Sequence, residues 1–275
     1  MENEDKLLSL NNYLKKLKKV AIAYSGGVDS NFLLNVAKNI LGENVIAITI
    51  DSPLQSRREI EAAKEYSKKI GVKHIILKID DLNIDSIIEN NERRCYFCKT
   101  YVFTKIKEIA SQNNIDYVLD GTNLDDMSDY RPGLKALEEL EILSPLKECG
   151  FRKLDIREIS KEMGLETYNK PSFACLASRI PYGTSLNKKT LDIIDKSEAY
   201  LEESGFSQFR VRVHGDIARI EILKEEMYKL FSEYLFEKIE RKLKEYGFKY
   251  VTVDLNGYKM GSMNTNIKNR NSEDI

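Results

Sequence analysis

A glycine-rich segment near the start of the chain has the composition of an anion-binding loop. Residues 25–30 read Ser-Gly-Gly-Val-Asp-Ser and follow a short apolar run. A strand, loop and helix in succession would aim several backbone N–H groups at one spot, where a phosphate can bind. The glycines allow close approach, the serines add hydroxyl donors, and the aspartate can hold Mg²⁺. The segment therefore predicts nucleotide phosphate binding by Ser25, Gly26, Gly27, Asp29 and Ser30.

This segment is not a Walker A loop, because no lysine follows the glycines. A glycine turn that only caps a helix is the alternative.

A second polar loop, residues 121–126, follows a later apolar run. The carboxyl ends of neighbouring parallel strands meet at one edge of a sheet, so this loop is expected at the same edge as residues 25–30. We expect its Thr122, Asp125 and Asp126 to contact the nucleotide, although a solvated acidic turn has the same composition. Asp51 is a candidate for the adenosine pocket, with a plain strand end as the alternative.

The cysteines are a second chemical feature. Cys95 and Cys98 lie three residues apart among basic residues, which favour thiolates, and Cys175 lies far along the chain. In a reducing compartment this spacing indicates a metal or redox site. Three converging thiolates suit an iron–sulfur cluster with one iron left open. Zinc with Cys149 as fourth ligand and two unrelated buried pairs are the alternatives; otherwise Cys149 has no assigned role.

Arginines on a predicted strand are a third feature. Arg210, Arg212 and His214 alternate with two valines, so they share one face of the strand. Planar guanidinium groups suit a nucleotide phosphate or a carboxylate. From the residues alone, a solvated basic strand paired with Glu221 is an equally good interpretation.

The hydrophobic pattern predicts the scaffold for these residues. Helices alternate with buried strands over about the first 120 residues, which predicts an α/β fold with a parallel sheet covered on both faces. After residue 170 the pattern is that of a smaller α+β unit with a hairpin. We therefore predict two domains, residues 1–170 and 171–275. The predicted strands are 20–24, 45–50, 73–79, 117–120, 209–213, 217–222 and 250–255, and the predicted helices are 6–17, 31–41, 57–70, 98–113, 155–163, 190–203 and 224–246.

Length and charge agree with this organisation. The chain has 275 residues, with 43 Lys and Arg against 44 Asp and Glu, so its net charge is −1. At roughly 150 residues per domain, the length allows about two domains. The balanced charge argues against a dedicated nucleic-acid binder. The acidic start is unlike a signal peptide, and no apolar run reaches the roughly 20 residues that cross a bilayer. We predict a cytoplasmic protein without a membrane partner.

Several motifs together carry a resemblance to known families. The loop at residues 25–30 resembles that of the PP-loop ATP pyrophosphatases. The motif Arg-Cys-Tyr-x-Cys-Lys begins at residue 94, and Lys-Pro-x-x-Ala-Cys-Leu-Ala-Ser-Arg-x-Pro-Tyr-Gly begins at residue 170. Val-Arg-Val-His-Gly-Asp-Ile-Ala-Arg-Ile-Glu begins at residue 211, and Gly-Tyr-x-x-Gly-Ser-Met-Asn at residue 257. Over nearly the whole chain, this combination resembles the LarE sulfur transferases.

The resemblance implies a concrete function. Such enzymes adenylate the carboxylates of pyridinium-3,5-biscarboxylic acid mononucleotide and replace AMP with sulfur, for the nickel-pincer cofactor of lactate racemase. It implies ATP and Mg²⁺, and a [4Fe–4S] cluster held by Cys95, Cys98 and Cys175. In the family's other form, the single cysteine matching Cys175 gives up its own sulfur. The implied partners are the small nucleotide substrate, a sulfide or sulfur donor, and further copies of the chain in a homo-oligomer.

The resemblance also implies site residues. Cys175, Glu198, Ser178 and Arg179 are the expected catalytic residues, and the substrate's charged groups are expected at Arg210 and Arg212. Rival functions are a PP-loop tRNA thiolase, an amide-forming synthetase and a nucleotide-binding regulator without turnover.

Overall fold

The computed structural model describes residues 2–79, 84–128, 132–171 and 173–259. It divides into two compact units: the first holds residues 1–81 and 92–173, and the second holds residues 82–91 and 174–275. Among the motif residues, Ser172 and residues 260–264 lie outside the described part. Within that part, no helix combines the length and the apolar composition needed to cross a membrane. The functional boundary at residue 170 stays a prediction, because a geometric division assigns no activity.

A parallel four-stranded sheet is the scaffold of the first unit. Its strands, β1 (Val20–Ala23), β2 (Val45–Asp51), β3 (Lys73–Lys78) and β4 (Tyr117–Leu119), lie in the order β3-β2-β1-β4. The predicted α/β fold is therefore confirmed. Most element ends fall within a few residues of the prediction, and the helix predicted from residue 98 begins at Arg94. The helices of the described chain are α1 (Glu2–Leu17), α2 (Val28–Leu41), α3 (Arg57–Ile70), α4 (Asp85–Ile88), α5 (Arg94–Gln112), α6 (Pro132–Glu139), α7 (Pro145–Glu148), α8 (Lys153–Glu162), α9 (Lys188–Glu203) and α10 (Leu235–Tyr246).

The central strands β1 and β2 are mostly apolar and buried because helices cover both faces of the sheet. Successive residues of a strand point to opposite faces. Ile22 of β1 therefore packs into the same core as Phe32 of α2, whereas Ala21 packs into the core that contains Phe103 of α5. β1 and β4 are parallel neighbours, with Ile22 opposite Leu119. The loops that follow these two strands consequently emerge side by side at one edge of the sheet.

The second unit contains a three-stranded sheet, β5 (Phe209–His214), β6 (Ile217–Ile222) and β7 (Tyr250–Val253), in that order. β5 and β6 are antiparallel, which confirms the predicted hairpin, and β7 runs parallel to β6. Helix α9 packs on β5. Asn187 caps this helix, because its side chain accepts a hydrogen bond from the Thr190 backbone N–H at 2.8 Å.

The prediction of one long helix over residues 224–246 is wrong. A 3-10 segment, Lys224–Tyr234, comes first, and α10 starts only at Leu235. Between them Tyr234 has φ 57° and ψ 34°, a left-handed conformation. A left-handed residue interrupts the hydrogen-bond ladder of a right-handed helix. No glycine or proline occurs in this stretch, so the usual sequence signal for a break is missing.

Candidate active site

The loop between β1 and α2 has the tight backbone expected of an anion cradle. Gly26 has φ +69°, and a Cβ atom there would lie 2.9 Å from Ala63 Cβ of α3. Both the backbone angle and the packing therefore require glycine. Ser25 Oγ lies 3.1 Å from Ser30 Oγ, and Ser30 Oγ donates to the Gly27 carbonyl at 3.3 Å. Hydroxyl groups and the start of α2 thus come together around this loop.

Asp29, in the first turn of α2, lies between two polar side chains. Lys153 Nζ is 2.5 Å from Asp29 Oδ2, and Asn123 Nδ2 is 3.4 Å from Asp29 Oδ1. Burial raises the pKa of Asp29, and the Lys153 ammonium opposes that rise. Lys153 is a residue that the sequence analysis missed, because it lies 124 positions away and in no recognised motif. It brings to the loop a positive charge that the loop's own sequence lacks.

The loop after β4 packs directly on the start of α2. A Cβ atom on Gly121 would lie 3.1 Å from the backbone nitrogen of Ser30. The acidic residues of this loop accept hydrogen bonds from backbone N–H groups. Asp125 Oδ2 accepts from the Lys153 N–H at 2.8 Å, and Asp126 Oδ2 accepts from the Asn123 N–H at 3.0 Å. Asp125 thereby fixes the start of α8, the helix that carries Lys153. A direct contact of either carboxylate with nucleotide stays a prediction.

Two further predicted nucleotide contacts lie at the carboxyl ends of strands. Thr122 Oγ1 donates to the Asp120 carboxylate, which also accepts from Ser144 Oγ at 2.7 Å. Asp51, the last residue of β2, forms an ion pair with Arg57. Both residues are therefore held in place by neighbours, and their role in binding stays a prediction.

A second lysine contacts the glycine loop. Lys170 Nζ donates to the Gly26 carbonyl at 3.1 Å and lies 3.0 Å from Glu59 Oε2. It also lies 5.5 Å from the centre of the Tyr66 ring, a cation–π distance. Lys153 and Lys170 therefore add two positive charges around the loop.

Cys95 and Cys98 lie one turn apart at the start of α5, and both are partly buried. Arg94 Nη2 lies 3.8 Å from Cys95 Sγ, so a positive charge lies beside this sulfur. The pair has the donor chemistry of two cluster ligands, and the predicted third ligand, Cys175, belongs to the second unit. In the part of the chain that the structure describes, no three His, Cys, Asp or Glu side chains form a group that could hold a metal. Cys149 packs against the core, and burial raises the pKa of its thiol.

Cys175 is exposed and precedes a 3-10 turn, Leu176–Arg179. Arg179, at the end of this turn, is only 1% exposed. Its Nη1 donates to the carbonyls of Ala174 at 2.7 Å and Cys175 at 3.1 Å. Its Nε and Nη2 each donate to one oxygen of Glu198 at 2.8 Å. A buried ion pair therefore supports the backbone that carries an exposed thiol.

Glu198 lies on α9 and is fully buried. Burial acts to raise its pKa, but the Arg179 charge and hydrogen bonds outweigh burial, so the pKa of Glu198 lies below its ordinary value. Glu198 Oε1 also accepts from the Val211 N–H at 3.0 Å, which joins α9 to β5. Ser178 Oγ donates to the Cys175 carbonyl at 2.8 Å. The structure thus brings together all of the predicted catalytic residues of the second unit.

The predicted substrate-binding arginines of β5 are buried, Arg210 at 3% and Arg212 at 5% exposure. Arg212 Nη2 pairs with Glu221 Oε2 at 2.9 Å, and its Nη1 donates to the Ser178 carbonyl at 2.8 Å. Burial and the neighbouring Arg179 charge lower the pKa of Arg210 to about 10. The interpretation of a solvated basic strand is therefore wrong, although its pairing with Glu221 is present. A role in phosphate binding stays a prediction.

Comparisons with known proteins agree with this architecture. A family model of the PP-loop domain matches residues 1–126. The chain is 37% identical, over 91% of its length and 91% of the relative's, to the pyridinium-3,5-bisthiocarboxylic acid mononucleotide synthase of Lactiplantibacillus plantarum. It is 38% identical to an uncharacterised protein of Synechocystis sp. over 95% of this chain and 97% of that protein. It is 27% identical to a GMP synthase chain of Thermoplasma volcanium over 60% of each chain. The chain therefore belongs to the LarE family of ATP-dependent sulfur transferases, whose nucleotide site is built on a PP-loop domain.

Proposed function

We propose that this protein converts pyridinium-3,5-biscarboxylic acid mononucleotide into its bisthiocarboxylic form at the expense of ATP. One observation carries the proposal: a glycine loop with a partly buried Asp29–Lys153 contact occurs in a chain 37% identical to a synthase of that product. Residues 1–170 would activate the carboxylate, and residues 171–275 would present substrate and sulfur.

Adenylation is the first half of the proposed reaction. A carboxylate resists nucleophiles, so its oxygen first attacks the α-phosphate of ATP, which forms an acyl-adenylate and releases pyrophosphate. The Ser25 and Ser30 hydroxyl groups and the N–H groups of the loop would bind the pyrophosphate end. Lys153 and Lys170 would balance part of its charge. Asp29 has the oxygen chemistry that suits Mg²⁺, which would stabilise the departing pyrophosphate when bound.

Replacement of AMP by sulfur is the second half. A sulfur nucleophile attacks the acyl carbon, the bond from that carbon to the AMP oxygen breaks, and a thiocarboxylate and AMP are formed. The exposure of Cys175 supports a role at this step. Arg210 and Arg212 are the proposed partners of the substrate phosphate, because they place positive charge on the strand beside the Cys175 turn. A second cycle at the other carboxylate completes the product.

Two sulfur sources are compatible with Cys175. In the favoured one, Cys95, Cys98 and Cys175 hold a [4Fe–4S] cluster, which would supply an added sulfide at its open iron when bound. In the alternative, the Cys175 thiolate forms a thioester, and loss of its Cα proton with cleavage of its Cβ–S bond leaves dehydroalanine. The Cys95 and Cys98 pair favours the cluster, because the sacrificial route needs no neighbouring thiols.

Anaerobic purification followed by iron, sulfide and EPR analysis tests the sulfur source. We expect iron and acid-labile sulfide in the wild type and their loss in a Cys98→Ser variant. Protein without iron that loses the elements of H₂S at Cys175 after one turnover would contradict the cluster and support the sacrificial route.

Incubation with ATP, Mg²⁺ and the biscarboxylic nucleotide tests the reaction itself. We expect AMP, pyrophosphate and a thiolated pyridinium product. Thiolated tRNA without that product would favour a tRNA thiolase, and an amide formed from added ammonia would favour a synthetase like the GMP synthase relatives. Nucleotide binding without AMP or pyrophosphate would indicate a regulator. A cytoplasmic location and a homo-oligomeric state remain part of the proposal.

A further inference from the structure

We propose that Arg179 and Glu198 are positioning residues that clamp the Cys175 turn, and that neither is an acid–base catalyst. The inference rests on the proposed function, because it assumes that sulfur transfer takes place at Cys175. Both side chains are buried, at 1% and 0% exposure, and they bind each other through two hydrogen bonds.

The contacts of Arg179 all serve the turn and its support. Nη1 donates to two consecutive carbonyls, those of Ala174 and Cys175, and to Ser178 Oγ at 2.9 Å. Nε and Nη2 hold the Glu198 carboxylate in the bidentate geometry that a guanidinium favours. One side chain therefore fixes the backbone on both sides of the Cys175 Cα atom.

Glu198 connects this clamp to the rest of the second unit. It lies in the middle of α9, and its Oε1 also accepts from the backbone of β5 at Val211. The Arg212 contact with the Ser178 carbonyl gives the turn a second link to the same strand. The turn is thus tied to a helix and a strand that form the core of this unit.

The turn needs this support because it has little structure of its own. Its ends are closed by backbone bonds from the Ser178 N–H to the Cys175 carbonyl at 3.0 Å and from the Ile180 N–H to the Ala177 carbonyl at 3.2 Å. A 3-10 turn is short and has poorer hydrogen-bond geometry than an α-helix, so it opens easily. A displacement of about 1 Å at a reacting atom can slow a reaction by about 100-fold. The clamp would keep the Cys175 sulfur, as cluster ligand or as donor, within reach of the acyl-adenylate.

The charges of the pair agree with a positioning role. The Arg179 charge holds the pKa of Glu198 below its ordinary value. Both Glu198 oxygens accept from Arg179, and one of them also accepts from the Val211 N–H, so the carboxylate is bound by donors of the protein itself. Glu198 retains its charge to hold the arginine.

Hydrogen exchange and partial reactions of two variants test the clamp. Glu198→Gln keeps the shape but loses the charge, and Arg179→Lys keeps the charge but cannot bind the carboxylate and both carbonyls at once. We expect amide exchange at residues 176–180 to accelerate at least about tenfold, because local opening becomes easier. We expect thiolated product to form about 100-fold more slowly, with acyl-adenylate and pyrophosphate formation within about twofold of wild type.

Ile194→Ala is the matched control. Ile194 is fully buried on the same helix, one turn before Glu198, and it has no part in the clamp. This variant should lower the global stability while the exchange at residues 176–180, relative to the rest of the unit, stays as in wild type. The ratio of sulfur transfer to adenylation should also stay unchanged.

Three outcomes would overturn the clamp. One is a Glu198→Gln variant with wild-type exchange at the turn and a slow sulfur transfer, which would assign Glu198 to the chemistry. Another is wild-type amide exchange together with wild-type sulfur transfer in both Glu198→Gln and Arg179→Lys. If Glu198→Gln does not fold, Arg179→Lys alone tests the clamp. The third contradicting outcome is then amide exchange at residues 176–180 of Arg179→Lys at the wild-type rate. A wild-type protein that releases no AMP or pyrophosphate would contradict the proposed function, whereas the exchange result would still test the clamp.

Discussion

The glycine loop of the first unit and the Cys175 turn of the second are held in different ways. The loop is shaped by its own backbone, with Gly26 in a left-handed conformation against Ala63, and its hydroxyl groups hydrogen-bond to one another. The turn is held by the side chain of Arg179, its own last residue, which is fixed in turn by Glu198 of α9. A phosphate is bound by many backbone N–H groups, which need only the correct loop conformation. A single thiol instead needs a backbone that is held in one position, and a buried ion pair can hold it.

The largest effect should follow from Gly26→Ala. The new Cβ would meet Ala63 at 2.9 Å and force a strained φ, so we expect ATP affinity to fall by at least about 100-fold, through loss of the loop conformation. Calorimetric titration with ATP and Mg²⁺ measures it. Gly71→Ala is the control, because Gly71 has φ +70° with no atom near its missing Cβ. Equal affinities of Gly26→Ala and wild type would show that the loop does not depend on its glycine.

The next largest effect should be on stability at Glu198. Glu198→Ala leaves the Arg179 charge buried without its carboxylate, so we expect the free energy of unfolding to fall by about 3–5 kcal/mol. Asp192→Ala on the same helix breaks a surface pair in which the two side chains are 57% and 56% exposed, and it should have no measurable effect. Urea unfolding of both variants gives the comparison. Equal losses would mean that the buried pair is no more important than a surface pair.

A smaller effect, and one that depends on pH, should follow from Lys153→Met. The Lys153 ammonium opposes the rise in the pKa of Asp29, so its removal raises that pKa further. Protonated Asp29 cannot bind Mg²⁺, and binding of ATP with Mg²⁺ should therefore be lost at a higher pH than in wild type as pH falls. At neutral pH we expect about tenfold weaker binding, as for loss of one charged partner. Titrations at several pH values test this, with Lys161→Met, an exposed lysine of α8, as control.

The smallest effect should come from Ser178→Ala. The Ser178 hydroxyl donates to the Cys175 carbonyl at 2.8 Å, and a hydrogen bond of this kind contributes about 1 kcal/mol. We expect sulfur transfer to slow by about threefold, since Arg179 loses only its bond to this hydroxyl and keeps those to Glu198 and to the Ala174 and Cys175 carbonyls. Ser204→Ala removes a similar bond, from Ser204 Oγ to the Tyr200 carbonyl at 2.7 Å, and should leave sulfur transfer unchanged. A loss of more than about 100-fold in Ser178→Ala would instead assign this hydroxyl to the chemistry.

Local sequence patterns were sufficient for the parallel sheet, the hairpin and the glycine loop. Apolar runs such as β1 and β2 indicate strands that are buried on both faces, and paired glycines indicate a backbone conformation open to few other residues. The pattern failed at Tyr234, where a left-handed residue divides the predicted helix without a glycine or proline. There the apolar spacing of the two segments is compatible with one continuous helix, so spacing alone could not reveal the break.

The residues that surround the reactive groups were harder to predict. Arg179 and Glu198 were singled out through a family resemblance, but their burial beneath the Cys175 turn follows only from the packing of α9 on β5. Lys153 was missed altogether, because a lysine at the start of a helix is ordinary in any sequence. Its contact with Asp29 arises because Asp125 anchors that helix start beside the loop.

The sequence alone therefore reveals the anion loop, the cysteine spacing and the order of helices and strands. Each of these depends on residues close together in the chain, where backbone angles and periodicity carry the information. The contact of Asp29 with Lys153 and the support of the Cys175 turn by Arg179 and Glu198 depend on charged side chains that are far apart in sequence. Only the folded packing brings such charges within hydrogen-bond distance, and where both are buried, as Arg179 and Glu198 are, leaving either unpaired would be costly.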